Sequence, residues 1–205
     1  MSSLFPSATK AADPDSTQVN RKTWRELTIT AGDWEIQALE PLSWIRSNHI
    51  KVGSIEALSD FVNLAEMGVP QGLLGTIDSV TACPVIQKGP GRVVLLTVSH
   101  LSDDVYSLTL KNAAGVTETL GVSGYHRFYD EIAGWTQVQN LQVREVLRGD
   151  HGDLTVVSLV RDSGADRVYN MTVETDHVYY VGTHTALNDL ARLRAIVTAG
   201  FAMKY

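Results

Sequence analysis

Short runs rich in valine, leucine, threonine and tyrosine recur along this chain, and they constrain its fold more than any other feature of the sequence. Glycine, proline, aspartate and asparagine separate the runs at intervals that are typical of all-β folds. The runs predict strands at Trp24–Thr30, Trp34–Ala38, Gly75–Thr81, Val93–Val98, Val105–Lys111, Thr117–Val122, Leu154–Val160, Val168–Glu174 and His177–Val181. An all-β body is therefore predicted from about Trp24 to Gly182.

Neighbouring runs also predict how some of the strands pair. Val105–Lys111 and Thr117–Val122 flank a turn of the kind that closes a hairpin. Leu154–Val160 and Val168–Glu174 flank a second turn and are predicted to pair in the same way. A third pairing is predicted between Val168–Glu174 and His177–Val181. The sequence thus predicts a body made of local hairpins.

Two segments inside the body favour helical structure. Leu42–His49 follows a proline and is predicted to be one short helical or 3₁₀ connector. In Ser54–Ala65 the apolar residues recur at the spacing of one helix face, so this segment is also predicted to be a helix.

The two ends of the chain differ from the body. Residues 1–22 are rich in Ser, Ala, Asp, Thr and Pro and show no apolar period, so they are expected to form a flexible leader. From residue 189 onward the apolar residues fall at helical spacing, and Asn188 is placed to cap the first turn. The predicted organisation is a leader at 1–22, one domain at 23–188 and a short amphipathic helix at 189–205.

Composition excludes several classes of function. The formal net charge is -6 and no basic run is long enough for a nucleic-acid face, so no nucleic-acid partner is expected. A single cysteine excludes an internal disulfide and a cysteine-based zinc or iron–sulfur site, and no metal or cofactor is expected. No run approaches the roughly 18 apolar residues that span a bilayer, and no secretory signal is visible. The expected location is the cytoplasm, unless the chain is part of a larger exported protein.

Two local constellations carry possible chemistry. Cys83 stands beside a proline with only Lys88 and Arg92 near it in sequence, so the more common interpretation is a buried apolar residue rather than a reactive thiol. Ser123 precedes His126 by three residues at the end of a predicted strand. A hydroxyl at this spacing can hold the imidazole in one tautomer, and the imidazole can then polarise a nearby backbone amide.

The C-terminal run ends at a residue with a known route to self-cleavage. His177 opens the last predicted strand, His184 follows it, and the run ends at Asn188. An asparagine side-chain amide can attack its own carbonyl carbon and cleave the next peptide bond when nearby imidazoles assist.

Spaced motifs in this order resemble the hedgehog/intein (Hint) domains of bacterial polymorphic toxins, in particular a planctomycete-like subtype. They are Gly121-Val-Ser-Gly-Tyr-His-Arg-Phe-Tyr129, Gly134-Trp135, Val168-Tyr-Asn-Met-Thr-Val-Glu174 and His177-Val-Tyr-Tyr-Val-Gly182. The resemblance covers about Trp24 to Leu190. It implies an all-β horseshoe of short strands with pseudo-two-fold symmetry, which closes its two halves over one pocket, and self-cleavage that releases a downstream segment.

The resemblance also implies roles for single residues and shows two departures. Ser123 takes the place of the motif's usual threonine, His126 that of the activating histidine, and His177 that of the histidine opening the last strand. The first departure is the absence of a cysteine near the start of the chain, which argues against thioester splicing. The second concerns the His-Asn dipeptide that ends the family's domains: without gaps it falls on Asp189-Leu190, and with a two-residue deletion it falls on Leu187-Asn188, so neither alignment has the assisting histidine. His184 replaces the missing imidazole only if the chain bends back.

Three functions remain open at this stage. The first is a degenerate Hint domain that no longer splices or cleaves and serves as a structural or interaction module. Its expected partner is a toxin or effector polypeptide, either covalently linked to the chain or encoded beside it. The second is an autoprocessing domain that cleaves after Asn188, with His126, His177 and His184 as helpers. The third is a hydrolase that uses Cys83 and a histidine, although no nucleophile motif surrounds that cysteine.

Overall fold

The computed structural model describes residues 19–61, 64, 67–86, 93–173, 178–183, 186–189 and 195–196 of the 205-residue chain. Within these ranges nearly all of the regular secondary structure is strand. The strands are β1 (Trp24–Ala31), β2 (Trp34–Pro41), β3 (Ile55–Ala57), β4 (Leu74–Ala82), β5 (Val94–Ser102), β6 (Val105–Lys111), β7 (Thr117–Ser123), β8 (Arg127–Asp130), β9 (Gly134–Gln137), β10 (Val146–Leu147), β11 (Leu154–Arg161), β12 (Asp166–Val173), β13 (Val178–Val181), β14 (Ala186–Asp189) and β15 (Ala195–Ile196). One helix, α1 (Leu42–Ser47), and 3₁₀ turns at Leu58–Asp60 and Val138–Asn140 complete the described elements.

The strands follow one continuous path of antiparallel pairs. Its order is β13-β14-β8-β10-β11-β6-β7-β15-β12-β5-β2-β1-β4-β3, and β9 pairs with β8 beside this path. Each half of the path contains a hairpin whose first strand is also paired by a later strand. In one half β4 joins β1 of the β1–β2 hairpin, and in the other β11 joins β6 of the β6–β7 hairpin. The prediction of an all-β fold is confirmed.

Each half of the sheet has its own apolar core. The first core consists mainly of residues from the β1–β2 region and the segments that follow it, among them Leu27, Ile36, Leu58 and Ile77. The second is built from β6, β8, β11 and their neighbours and includes Leu108, Phe128 and Leu154. These strands alternate buried and exposed residues, because each has one face on a core and one in solvent.

Several local expectations are confirmed and two pairings are wrong. The β6–β7 hairpin has the predicted partners, and α1 occupies the predicted connector. However, β11 pairs with β6 and β10, and β12 pairs with β5 and β15. The predicted β11–β12 hairpin is therefore wrong. The predicted pairing of β12 with the strand that follows it, β13, is also wrong, because β13 pairs with β14 among the described residues.

Two predicted helices are corrected as far as the structure describes them. In the segment 54–65, Ile55–Ala57 is an edge strand and Leu58–Asp60 one 3₁₀ turn. Ile55 pairs with β4 and is 66% exposed while Leu58 is buried, so these residues do not share one buried helix face. At the C-terminus Ala186–Asp189 and Ala195–Ile196 are strands. Asn188 is therefore paired in a sheet and does not cap a helix there. The other residues of 190–205, and residues 1–18 of the predicted leader, lie outside the described ranges.

None of the helices among the described residues has the length and apolar character needed to cross a membrane.

Candidate functional site

The Ser123–His126 motif forms a tight turn between β7 and β8. The backbone N–H of His126 donates to the Ser123 carbonyl at 3.1 Å. Backbone N–H groups of the following 3₁₀ turn donate into the motif, from Val138 to the His126 carbonyl at 2.7 Å and from Gln139 to the Gly124 carbonyl at 3.0 Å. These bonds fix the backbone of the turn and so the direction of its side chains.

Both chemically relevant side chains of this turn are buried. Ser123 and His126 each have 0% of their surface exposed. The His126 ring lies 5.1 Å from the Phe128 ring, centroid to centroid, at an angle of 45°. Ser123 Oγ has no hydrogen-bond partner among the described residues. The expectation that this hydroxyl holds the imidazole in one tautomer is therefore wrong for this structure.

Asp104 lies against the motif at its glycine. The Gly124 N–H donates to the Asp104 carbonyl at 3.0 Å, and the Asp104 carboxylate is 3.6 Å from the guanidinium of Arg161. A Cβ atom at Gly124 would lie 2.5 Å from Asp104 Oδ2 and 2.8 Å from Tyr106 Cε2. The glycine therefore permits the close approach of β6 to the turn.

Replacing Gly124 with alanine is expected to destabilise the protein by about 1–3 kcal/mol, the usual cost of overpacking a tight site. Urea unfolding of the variant measures this loss. The double variant Gly124→Ala/Asp104→Ala is the control, because removal of the carboxylate relieves one of the two clashes and should recover part of the loss. Full additivity of the two substitutions would contradict the steric explanation.

Strand β14 brings Asn188 to the same region of the fold. Asn188 pairs with Phe128 of β8 on one side and with Tyr179 of β13 on the other. Asp189 pairs with Val178, so the ladder continues across the Asn188–Asp189 peptide bond. The backbone of Asn188 is thus directly opposite the residue that stands two positions after His126.

The structure tests only part of the predicted residue set. A backbone hydrogen bond joins His126 to Ser123, and the backbone of Asn188 pairs with Phe128, two residues after His126. His177 and His184 lie outside the described residues, and the Asn188 side chain is not described. The proposed catalytic roles of these five residues remain predictions.

Cys83 does not have the surroundings of a nucleophile. Its side chain is fully buried and packs in a small apolar cluster with Trp24, Leu39 and Leu95. Burial raises the pKa of the thiol above its ordinary value, and the nearby Glu26 carboxylate raises it further. The thiol is therefore held protonated, which is the state of a structural cysteine.

Within the described ranges no group of three or more His, Cys, Asp or Glu residues is arranged to hold a metal ion.

Sequence reasoning missed two carboxylates near the motif, Asp104 and Glu118. Asp104 stands just before β6 and reaches the motif because β6 pairs with β7 along its whole length. Glu118, on β7, accepts a hydrogen bond from the backbone of Thr183 at 2.7 Å. The predicted β6–β7 hairpin indicates the contact of Asp104 with the motif, but no local pattern in the sequence indicates the contact of Glu118 with Thr183.

The chain is similar to one protein family and to several solved structures. A family model described as the pretoxin HINT domain matches residues 85–191. No curated protein matches the chain. Among solved structures, the TvoVMA intein is 11% identical, with 84% of this chain and 82% of that chain covered and a TM-score of 0.45. A bacterial intein-like domain from Clostridium thermocellum is 19% identical, covers 82% of this chain and 96% of its own, and has a TM-score of 0.41. A variant of the Ssp DnaB mini-intein is 15% identical, with coverages of 84% and 95% and a TM-score of 0.34.

Proposed function

The chain belongs to the pretoxin HINT domain family, and on this premise we propose that it is a degenerate Hint domain. It neither splices nor efficiently cleaves itself, and it serves as a structural or interaction module of a polymorphic-toxin-type polypeptide. The planctomycete-like subtype is part of the same proposal. The partner is a toxin or effector polypeptide, which is covalently linked or encoded beside the chain.

The observation that carries this proposal is the position of Asn188 inside a strand ladder. Cyclisation requires the side-chain amide to reach the residue's own carbonyl carbon, and the peptide plane must rotate as the ring closes. Pairing with Tyr179 and Phe128 opposes that rotation, and the Asp189–Val178 pair holds the leaving side of the bond.

Loss of acid–base assistance supports the same conclusion. The residue before Asn188 is Leu187, whose side chain has no proton to give to the leaving amide. General acid–base catalysis typically contributes about 10²–10⁴ in rate. The unbonded hydroxyl of Ser123 adds a second deficit, because it does not orient the imidazole of His126.

Thioester splicing is excluded from the proposal by the state of the only cysteine. Cys83 is internal to the fold and fully buried, and its pKa is raised above the ordinary value by burial. A protonated, inaccessible thiol neither attacks a peptide carbonyl nor accepts an acyl group.

Intact mass tests the proposal. Purified protein incubated for days at neutral pH is expected to keep its full mass. Abundant product that ends at Asn188, and that disappears in Asn188→Ala, would overturn the proposal. The variant Leu187→His restores an imidazole before Asn188. If only this variant cleaves itself, the missing imidazole before Asn188 is the reason that the wild-type chain does not.

One observation favours an alternative, an autoprocessing domain that cleaves after Asn188. The backbone of Asn188 is opposite Phe128, and the buried His126 is two residues from Phe128. Nearness of an imidazole supports this alternative, because cyclisation needs acid–base assistance. In that case His126, His177 and His184 are the helpers, and the same mass measurement decides between the two functions.

A further inference from the structure

The carboxylate of Glu118 reaches across the fold to the turn between β13 and β14. Its Oε1 accepts a hydrogen bond from the backbone N–H of Thr183 at 2.7 Å. Hydrogen bonds to an ionised carboxylate are shorter and about twice as strong as neutral ones. In the sheet path β7 and β13 are separated by five strands, so this bond is not part of a ladder. It joins two distant parts of the same half of the protein.

The turn is shaped to receive this carboxylate. Gly182 has a φ of +76°, a left-handed conformation that side chains with a Cβ rarely adopt. A Cβ there would also lie 2.8 Å from Glu118 Oε2 and 2.9 Å from Leu120 Cδ2. Both the backbone angle and the close contact therefore require glycine at position 182.

Apolar residues on both sides of the Glu118–Thr183 hydrogen bond pack on the second core. Leu120, two residues after Glu118 on β7, and Val181, directly before Gly182, both pack against the second core. Ala186, the first residue of β14, belongs to that core and is 1% exposed. The hydrogen bond of Glu118 thus lies beside apolar residues of β7 and the β13–β14 hairpin that pack on the second core.

From this turn the strand β14 runs only four residues, from Ala186 to Asp189. Val181 pairs with Ala186 and Tyr179 with Asn188, so the turn lies at the closed end of the β13–β14 hairpin, and β14 then pairs with β8 through Asn188. We propose that Glu118 is a positioning residue, which fixes the Gly182–Thr183 turn on β7 and thereby places Asn188 beside the Ser123–His126 motif. This inference rests on the proposed function in one respect: it takes Asn188 and the Ser123–His126 motif as the site of the Hint domain.

Hydrogen exchange measured by mass spectrometry tests this role in the full chain. In Glu118→Ala, amides of residues 178–189 are expected to exchange about 10-fold to 100-fold faster, as loss of a hydrogen bond to a charged group implies. Amides of β1 and β2 should be unchanged. Glu118→Gln keeps an acceptor oxygen at the same place and should exchange at an intermediate rate. Glu56→Ala, which removes a glutamate from the edge strand β3, is the matched control.

Three results would overturn the inference. They are unchanged exchange at 178–189 in Glu118→Ala, an equal rise over the whole protein, and exchange in Glu118→Gln as fast as in Glu118→Ala. These outcomes are independent of the mass measurement above. If the wild-type chain cleaves itself, the proposed function fails while the exchange result stands, and the cleavage rate becomes a second readout. It should then fall in Glu118→Ala and recover in Glu118→Gln.

Discussion

Replacing Phe128 with alanine is expected to lower the free energy of unfolding by about 3–5 kcal/mol, the usual range for removing a phenylalanine from a core. Phe128 is the largest of the fully buried side chains, with 0% of its surface exposed, and it belongs to the second core. Its ring contacts the His126 ring, and its backbone pairs with both Asn188 and Thr136. A cavity at this point weakens the core and the candidate site together.

Urea unfolding followed by tryptophan fluorescence measures the loss. Tyr125→Ala is the matched control, since Tyr125 is an aromatic residue of the same turn that is 52% exposed, and its substitution should change stability by less than about 0.5 kcal/mol. A loss below about 1 kcal/mol in Phe128→Ala would contradict the position of this ring in the core.

Stability is expected to depend on pH through Glu40, at the end of β2. This side chain is only 9% exposed, and burial raises the pKa of its carboxyl from 4.5 to about 7. Arg25 is its cross-strand neighbour, but the Arg25 guanidinium donates to the carbonyls of Trp24 and Arg21. No ion pair with Glu40 is found among the described residues. The buried carboxylate is therefore uncompensated when it ionises.

The sign follows from the higher pKa in the folded state. The folded protein binds the proton more tightly, so this group's contribution to stability is complete below pH 4.5. It is lost as the pH rises from 4.5 through about 7. The difference between these two values corresponds to about 3 kcal/mol. Glu40→Gln is therefore expected to be more stable than the wild-type chain by up to about 3 kcal/mol at pH 8 and nearly equal to it at pH 4.5.

Urea unfolding at the two pH values measures this difference. Glu35→Gln, a substitution of an exposed carboxylate on the same strand, should change stability by less than about 1 kcal/mol at either pH. A Glu40→Gln variant less stable than the wild type at pH 8 would show that Glu40 has a stabilising partner instead.

Turn residues and alternation predicted where the strands lie but not which strands become neighbours. The β6–β7 hairpin was predicted because its partners are adjacent in sequence and its turn is short. β11 and β12 have the same local pattern, yet each pairs with a strand far away in the chain. The turn between them is compatible with both arrangements, and only burial of two separate cores selects the observed one.

In the candidate site, too, local motifs could be predicted from the sequence but long-range contacts could not. The family resemblance implies that the Ser123–His126 motif lies near Asn188, and in the structure the backbone of Asn188 pairs with Phe128, two residues after His126. The expected helix cap at Asn188 was wrong, because pairing with β13 and β8 satisfies its backbone instead. Glu118 could not be found from sequence, since its contact with Thr183 spans 65 positions and depends on how the sheet curls.

The pairing of β12 with β5 affects how the chain can fold during synthesis. β5 ends at Ser102, but the strand that covers its second edge spans Asp166–Val173. A growing chain therefore exposes the unpaired edge of a nine-residue, largely apolar strand until more than 60 further residues have left the ribosome. During that interval this edge is open to mispairing with another chain. The C-terminal third of the sequence thus completes the N-terminal half of the fold.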